Sequence, residues 1–445
     1  MVILQRAIWV GISSLCVTSA FAAADDHPAA TFATIDARTR KEVLDTLAQK
    51  LESQYVLVDV AKKLARFVKA KEKANAYKNI TQGPELAQAL TDDLFAVAHD
   101  KHLQVSFSFT PLPNGPIQSP PEVLKKQNGM IPRLEILDGN VGYMRVNGVP
   151  TLEGARAAIA ASFAFLHNTD ALIIDNRGNI GGDPHTVAWY ISYLSTGPSY
   201  LLNTFHWRAN NGTVEIKTTE LGELSYGASK PLFVLTSSVT ASGGEGLTYD
   251  LQALKRAVVV GEVTTGGANP GGPEQLGHHF LVNMPKGQVV SAATGTNWEG
   301  VGVKPDIPVP AADALTKAYA LAIDRLIDDA TEPPARAELE ALAMKLESEA
   351  EARSPTTTRL TNAQIIGTYT QNLRPDPPVT ITEKDGELVQ HIDGFPDRTL
   401  AWQAANRYKR SGGLGWSIDC FRVRDGKTQI LMIGLFEPSL ILTKQ

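Results

Sequence analysis

The stretch Thr240-Ala-Ser-Gly-Gly-Glu245 sets Ser242 between an apolar run that reads as a buried strand and a segment that reads as a helix. Glycines beside it let a second backbone come close, and the free N–H groups of a helix's first turn are suited to holding an oxyanion. A serine nucleophile is presented this way. An N-cap is built the same way, and taken alone the stretch favours Ser242 or Thr240 as a cap. A second glycine turn, Asp175-Asn-Arg-Gly-Asn-Ile-Gly-Gly182, also follows an apolar strand and precedes a helix. Two such turns on neighbouring strands make a crevice. The turn does not fit G-x-G-x-x-G and lacks the P-loop lysine, which argues against a nucleotide site, and Arg177 reads as a salt bridge within the loop.

A serine needs a base, and His99-Asp-Lys-His102 is the most suggestive of the histidine clusters, because it lies where a helix hands over to a strand. Two histidines three residues apart, with no cysteine near, supply at most half a zinc shell, so no metal is expected. His278 and His279 are neighbours on a strand, point to opposite faces, and read as structural. Asn297-Trp-Glu-Gly-Val-Gly-Val-Lys-Pro-Asp306 adds one acid, Glu299, in a compact turn that by itself is also a plain surface turn.

The elements that must hold these residues follow from periodicity. Leu44, Leu47 and Leu51, then Leu57, Val60, Leu64 and Phe67, then Leu86, Leu90, Leu94 and Val97 recur every three or four residues, which predicts amphipathic helices in an N-terminal helical subdomain. Val105, Phe107 and Phe109 alternate with serines, as a strand does, and five prolines between Pro111 and Pro121 mark a boundary. Beyond it, Leu134–Leu137 and Val141–Val146 flank Asp138-Gly139 and predict a hairpin. A helix over 151–166, a strand over 171–175, a helix over 184–194, a strand over 232–236, a helix to about 254 and a strand over 257–261 then alternate, which implies a mixed α/β core. An alanine-rich charged helix to about Arg353 reads as a spacer, and short strand-like runs from Thr361 onward, broken at Asp385-Gly386 and Asp425-Gly426, read as a small β-rich accessory domain. The expected division is 1–24, 25–118, 119–330, 331–360 and 361–445.

The first 24 residues read as a cleaved export signal: Arg6, an apolar run from Ala7 to Val17, and small residues around Ala20-Phe21-Ala22. That run is too short to span a bilayer, so a periplasmic or secreted protein with no membrane span after cleavage is expected. Cys16 falls inside the signal, and Leu15 and the residues before it do not suit lipidation, so Cys420 alone remains and no internal disulfide is possible. With 42 basic against 47 acidic residues among 445, and 43% hydrophobic, the chain has material for a sizeable core and no basic footprint for nucleic acid.

Together, Asp175–Gly182, Ser242-Gly-Gly-Glu245, Leu254-Lys-Arg-Ala-Val-Val-Val-Gly-Glu262, Thr264-Thr-Gly-Gly267 and Trp298–Asp306 resemble, in order and spacing over about residues 95 to 315, the tail-specific (C-terminal processing) serine peptidase family. Within it the chain is similar to the branch of tricorn core proteases and interphotoreceptor retinoid-binding protein modules. The resemblance implies a core of crotonase-like βαβ units and raises Ser242 from a cap to the nucleophile. Bacterial processing peptidases pair that serine with a lysine where this chain has Gly267, so the resemblance to the tricorn branch implies His102 as base and Glu299 as the acid that orients it. Lys101 stands where that branch has a serine linking the two. Backbone N–H groups of Gly243 and of the turn at Gly181 are implied as the oxyanion hole, with no metal or cofactor, and with peptides or unfolded proteins as substrates. The PDZ domain common in the family has no room between Phe109 and Leu134. A binding protein for a hydrophobic ligand on the same scaffold is the alternative, and an esterase or amidase would use the same residues.

Overall fold

A computed structural model describes residues 33–112, 126–277, 279–353, 358–371, 377–412, 417–433 and 440–445. The export signal with Cys16, most of the proline-rich crossing, and His278 lie outside the described residues.

Three helices open the chain, α1 (Ala37–Gln54), α2 (Val58–Lys73) and α3 (Gly83–Ala98). Asp36 caps α1 by accepting from Thr39 N at 2.7 Å, and the apolar repeat buries Leu44, Leu47, Leu51, Leu64, Leu86, Leu90 and Leu94. His99 stops α3 in the left-handed region at φ +54, its N–H returning to Phe95 O, which turns Asp100–His102 away from the helix axis and into β1 (Gln104–Phe107). The helices do not close their core alone. Leu276, Phe280, Val282 and Met284 complete it, through an antiparallel sheet ordered β1-β10-β9, with β9 at Gly271–Gln275 and β10 at Phe280–Pro285. His279 of that segment bonds Ser108 O through Nδ1 and stacks on Phe107, the structural part expected of it.

The central sheet is ordered β12-β8-β7-β4-β3-β2. Its strands are β2 (Arg133–Leu137), β3 (Val141–Arg145), β4 (Ala171–Asp175), β7 (Leu232–Thr236), β8 (Val258–Gly261) and β12 (Ile307–Pro308). β2 and β3 form the expected antiparallel hairpin, with Gly139 at φ +73, and the remaining pairs are parallel. β4 and β7 are buried along their whole length, as strands covered on both faces must be. One face carries α4 (Leu152–Leu166), α5 (Pro184–Tyr193) and α6 (Gly243–Ala253), around Ile159, Phe163, Tyr190, Leu247 and Leu251. The other face carries α7 (Ala314–Asp329), through Ala314, Ala318, Ala322 and Ile323. A further three-stranded sheet, β11-β5-β6, flanks the first layer: β5 is Leu201–Trp207, β6 Gly212–Lys217 and β11 Gly287–Ser291.

The C-terminal strands, β13 (Gly367–Thr370) to β20 (Leu440–Lys444), close an eight-stranded antiparallel barrel in simple sequential order, β20 pairing back on β13. Its core includes Tyr369, Ile381, Tyr408, Phe421 and Ile430, and holds a fully buried ion pair of Arg410 and Asp419. The helix read as a spacer, α8 (Pro333–Arg353), is packed on two sides. Leu339, Leu342, Ala343 and Leu346 meet the α7 layer, while Ala341 and Met344 meet Cys420 and Leu431 on the outside of the barrel. Among the described residues no helix is long and apolar enough to cross a membrane.

Candidate active site

Because β4, β7 and β8 are parallel neighbours, the turns that leave them emerge at one edge of the sheet. These are Asn176–Gly182, Ser237–Ser242, which leads into Gly243-Gly244, and Glu262–Gly267.

Ser242 is the N-cap residue of α6, so the bland reading of its position holds as geometry. Its backbone, however, is at φ +53 and ψ −123, a region a non-glycine residue enters only under strain. The turn after β4 presses against it: a Cβ on Gly181 would lie 2.5 Å from Ser242 Cβ and 2.6 Å from Gly243 N, so only glycine fits there. That first turn is braced by Asp175, whose carboxylate takes Arg177 Nε and Nη2 at 2.8 and 2.7 Å and Tyr143 OH at 2.6 Å. Burial alone would raise the Asp175 carboxyl; the bonds from Arg177 and Tyr143 outweigh it and hold the group below the ordinary aspartate range. Arg177 also donates to Ala311 O at 2.6 Å, which gives it the structural part expected of it.

The amides near Ser242 differ in availability. Gly181 N–H donates to Asn179 Oδ1 at 2.9 Å and is spent. Gly182 sits in a parallel bridge with Val149 in which Gly181 O and Asp183 N make the bonds. Its own N–H therefore turns the other way, and Gly182 N lies 2.9 Å from where a Cβ on Gly243 would be. Neither Gly182 N–H nor Gly243 N–H has an acceptor among the described residues. Of the expected pair, Gly243 N–H is thus unbonded among the described residues while Gly181 N–H is engaged, and Gly182 N–H is the second unbonded amide beside Ser242.

His102 lies with its ring flat against the backbone of Gly267, where an added Cβ would come within 2.8 Å of Cε1 and 3.0 Å of Nε2. The imidazole fills the space that a side chain at 267 would need, so a lysine there and His102 in this position exclude one another. Asn283 Nδ2 donates to His102 O at 2.8 Å, and Asp100 Oδ1 accepts from His102 N at 2.9 Å. Asp100 is buried, and its other oxygen accepts from Tyr55 OH at 2.9 Å. His102 Nδ1 is buried without a partner among the described residues.

Glu299 reaches the same turn. Its Oε2 accepts from Ala268 N and Asn269 N at 2.6 and 2.8 Å, the two amides that follow Gly267. Burial first, and then the charge of Asp100, raise its carboxyl above the ordinary range, against those two amides and Lys101. The structure therefore gathers His102 and Glu299 on one turn but makes no hydrogen bond between them. Lys101, the residue in the linking position, sends its ammonium to Thr265 O at 2.5 Å instead.

Two residues that the sequence reading left without a part hold the arrangement together. Glu245 is fully buried, and its carboxylate receives four donors: Ser242 N at 2.9 Å and Gly267 N at 2.9 Å on Oε2, and Gly266 N at 2.6 Å and Thr264 Oγ1 on Oε1. One oxygen thus ties the serine residue to the glycine on which the histidine rests. Burial raises this carboxyl, and the four donors oppose the rise. Its signal was present, since Ser-x-x-Glu is the capping-box spacing. Trp298 is the second brace: its indole N–H donates to Gly267 O at 3.0 Å, and its ring packs on Gly246 and, at 5.1 Å, on Tyr249 of α6.

The model of peptidase family S41 matches residues 140–309, and that of the N-terminal domain of Peptidase_S41 in eukaryotic IRBP matches residues 33–137. Similar solved structures include a putative peptidase from Parabacteroides merdae ATCC 43184, 17% identical, covering 66% of this chain and 99% of that one with a TM-score of 0.46. A photosystem II D1 C-terminal processing protease is 13% identical, with 65% and 98% coverage and a TM-score of 0.40. A lipoprotein from Streptococcus agalactiae is 14% identical, with 64% and 96% coverage and a TM-score of 0.42.

Proposed function

This chain belongs to peptidase family S41, and from that premise we propose that it is an exported serine peptidase that cleaves peptides or unfolded proteins through an acyl-enzyme on Ser242. The observation that carries the reading is the Glu245 carboxylate, which joins Ser242 N to Gly267 N and so fixes the serine relative to the turn against which His102 packs.

His102 takes the proton from Ser242 Oγ as that oxygen attacks the scissile carbonyl. The carbonyl oxygen becomes an oxyanion held by the N–H groups of Gly243 and Gly182, both at the start of α6 or facing it, where the helix dipole adds favourable potential. The tetrahedral intermediate collapses, His102 gives its proton to the departing amine, and water repeats the sequence to free the enzyme. Two carboxylates serve the imidazolium formed at each stage: Glu299, which takes the amides following the glycine on which the ring rests, and Asp100, which holds the His102 backbone. Their negative charge stabilises that cation. No step needs a metal or cofactor. Export rests on residues 1–24, and the protein is expected in the periplasm or medium.

The test is hydrolysis of a mixed fluorogenic peptide pool by the purified mature protein beside Ser242→Ala. Turnover that vanishes in the variant supports a Ser242-dependent hydrolase. No turnover by the folded wild type, or equal turnover by both, overturns it.

A further inference from the structure

In the proposed chemistry His102 is the base, and the hydrogen bond that ordinarily orients such a ring is absent among the described residues. Nδ1 is buried without a partner there, and the carboxylate that a triad would turn toward it, Glu299, is engaged by Ala268 N and Asn269 N. What remains is the contact with Gly267 and a grip on the residue's backbone. Asn283 Nδ2 of β10 donates to His102 O at 2.8 Å, and His102 N donates to Asp100 Oδ1 at 2.9 Å, closing an Asx turn over Asp100–His102. On a surface, an aspartate in such a turn can swing its carboxylate into water. Asp100 is 3% exposed, and its second oxygen is held at 2.9 Å by the hydroxyl of Tyr55, 45 residues earlier in the chain.

Tyr55 is itself immobilised. It is the C-cap residue of α1, its N–H donating to Leu51 O at 3.2 Å, and the next amide, Val56 N, donates to Pro285 O at 2.9 Å at the end of β10. Arg208, just beyond β5, sends its guanidinium to Tyr55 O and, at 2.7 Å, to Glu52 O. The tyrosine side chain is buried. Burial first, and then the charges of Asp100 and Glu299, push its phenol far above the ordinary range, so the proton stays on the oxygen and is there to be donated to Asp100.

We propose that Tyr55 is a positioning residue for the base: its hydroxyl locks the Asp100 carboxylate, the carboxylate locks the His102 amide, and the imidazole is thereby kept in place against Gly267. The proposal rests on the reading of His102 as base, and it makes the C-terminal end of α1 a working part of the site as well as of the helical core.

The experiment uses the full mature chain with Tyr55→Phe, which keeps the ring and removes the hydroxyl, alone and combined with Asp100→Ala. A fluorogenic peptide gives kcat and KM, and a small fluorophosphonate gives the rate and the end-point of Ser242 labelling, so that rates are counted per folded site. Tyr55→Phe is expected to lower kcat and the labelling rate about tenfold, with KM within about twofold and the end-point complete. In the Asp100→Ala background the same change is expected to cost less than about twofold, because the hydroxyl then has no carboxylate to lock. An unchanged kcat in Tyr55→Phe, a change confined to KM, or an equal loss in both backgrounds overturns the proposal while the peptidase reading stands. If Tyr55→Phe does not fold, Asp100→Asn is set against Asp100→Ala: the amide still accepts from His102 N and still pairs with the phenol, so its kcat should exceed that of the alanine variant by about tenfold, and equal rates overturn the proposal. A wild type that neither labels nor cleaves, or whose turnover survives His102→Ala, overturns the reading on which the proposal rests, and the proposal falls with it.

Discussion

Replacing Glu245 by glutamine keeps the shape of the side chain and changes only what its two ends can do. The carboxylate accepts four hydrogen bonds, two on each oxygen, and an amide can supply acceptor capacity at one end only. With the NH₂ at the Oε2 position, the amides of Ser242 and Gly267 both face a donor. With it at Oε1, the Thr264 hydroxyl can rotate and accept, and Gly266 N–H alone is stranded, so this is the orientation glutamine adopts. A stranded buried N–H costs about 1–3 kcal/mol, and the other bonds lose charge assistance worth about 1 kcal/mol, while removing a buried charge returns part of this. The expected net loss is about 2 kcal/mol, read as a lowered urea midpoint at unchanged m-value. The catalytic effect follows from geometry, since Gly266 and Gly267 shift to relieve the stranded amide and carry the His102 ring with them. A displacement on the order of 1 Å costs about 10²-fold in rate, so kcat on a fluorogenic peptide is expected to fall 10- to 100-fold in Glu245→Gln while Ser242 remains in place. A variant within about 0.5 kcal/mol of wild-type stability and twofold of its kcat would refute the claim that this carboxylate couples the two halves of the site.

Gly267→Ala tests the contact of base and backbone: the new Cβ would stand 2.8 Å from His102 Cε1, so the ring must move, and kcat should fall about 100-fold with little change in thermal midpoint. Wild-type turnover in Gly267→Ala would show that His102 does not work from this position. A pH effect follows from Asp250 of α6, buried with Asn203 Nδ2 at 2.6 Å as its partner, where burial pushes its carboxyl up to about 7. A raised acid favours the fold most below its unfolded value near 3.8, and that contribution is lost as pH rises through about 7, up to about 4 kcal/mol in all. Asp250→Asn removes this slope, so its stability relative to wild type should increase between pH 5 and pH 8 in urea titrations; parallel pH profiles would contradict the assignment.

What the sequence made legible was local. Asp138-Gly139 announced the β2–β3 hairpin because only certain residues take positive φ at low cost, and the leucine repeat announced α1 to α3 because burial follows a helix's own period. The strand β9 went unread, and near β10 only a strand position for His278 and His279 was read. Gly271-Gly-Pro-Glu-Gln275 has no strand-like pattern, and what makes it a strand is antiparallel pairing with β10, whose other edge is held by β1 from far away in sequence. Within the site, residue types and order pointed to Ser242, His102 and Glu299, and the structure draws their turns together. Which amide stays unbonded beside Ser242, that of Gly181 or that of Gly182, was beyond sequence, since it depends on which way successive amides face in the bridge to Val149, a matter of parity that composition does not carry. The missing His102–Glu299 bond is likewise beyond sequence, because two backbone amides engage the Glu299 carboxylate.

The two-sided packing of α8 has a consequence for how the molecule is made. As the chain leaves the ribosome, the face of α8 bearing Ala341 and Met344 emerges before any of the barrel that covers it, and β20, which closes that barrel on β13, is the last strand to appear. Interrupted synthesis at any point in the barrel leaves the face bare, a mark by which chaperones and degradative enzymes can tell an unfinished protease from a finished one.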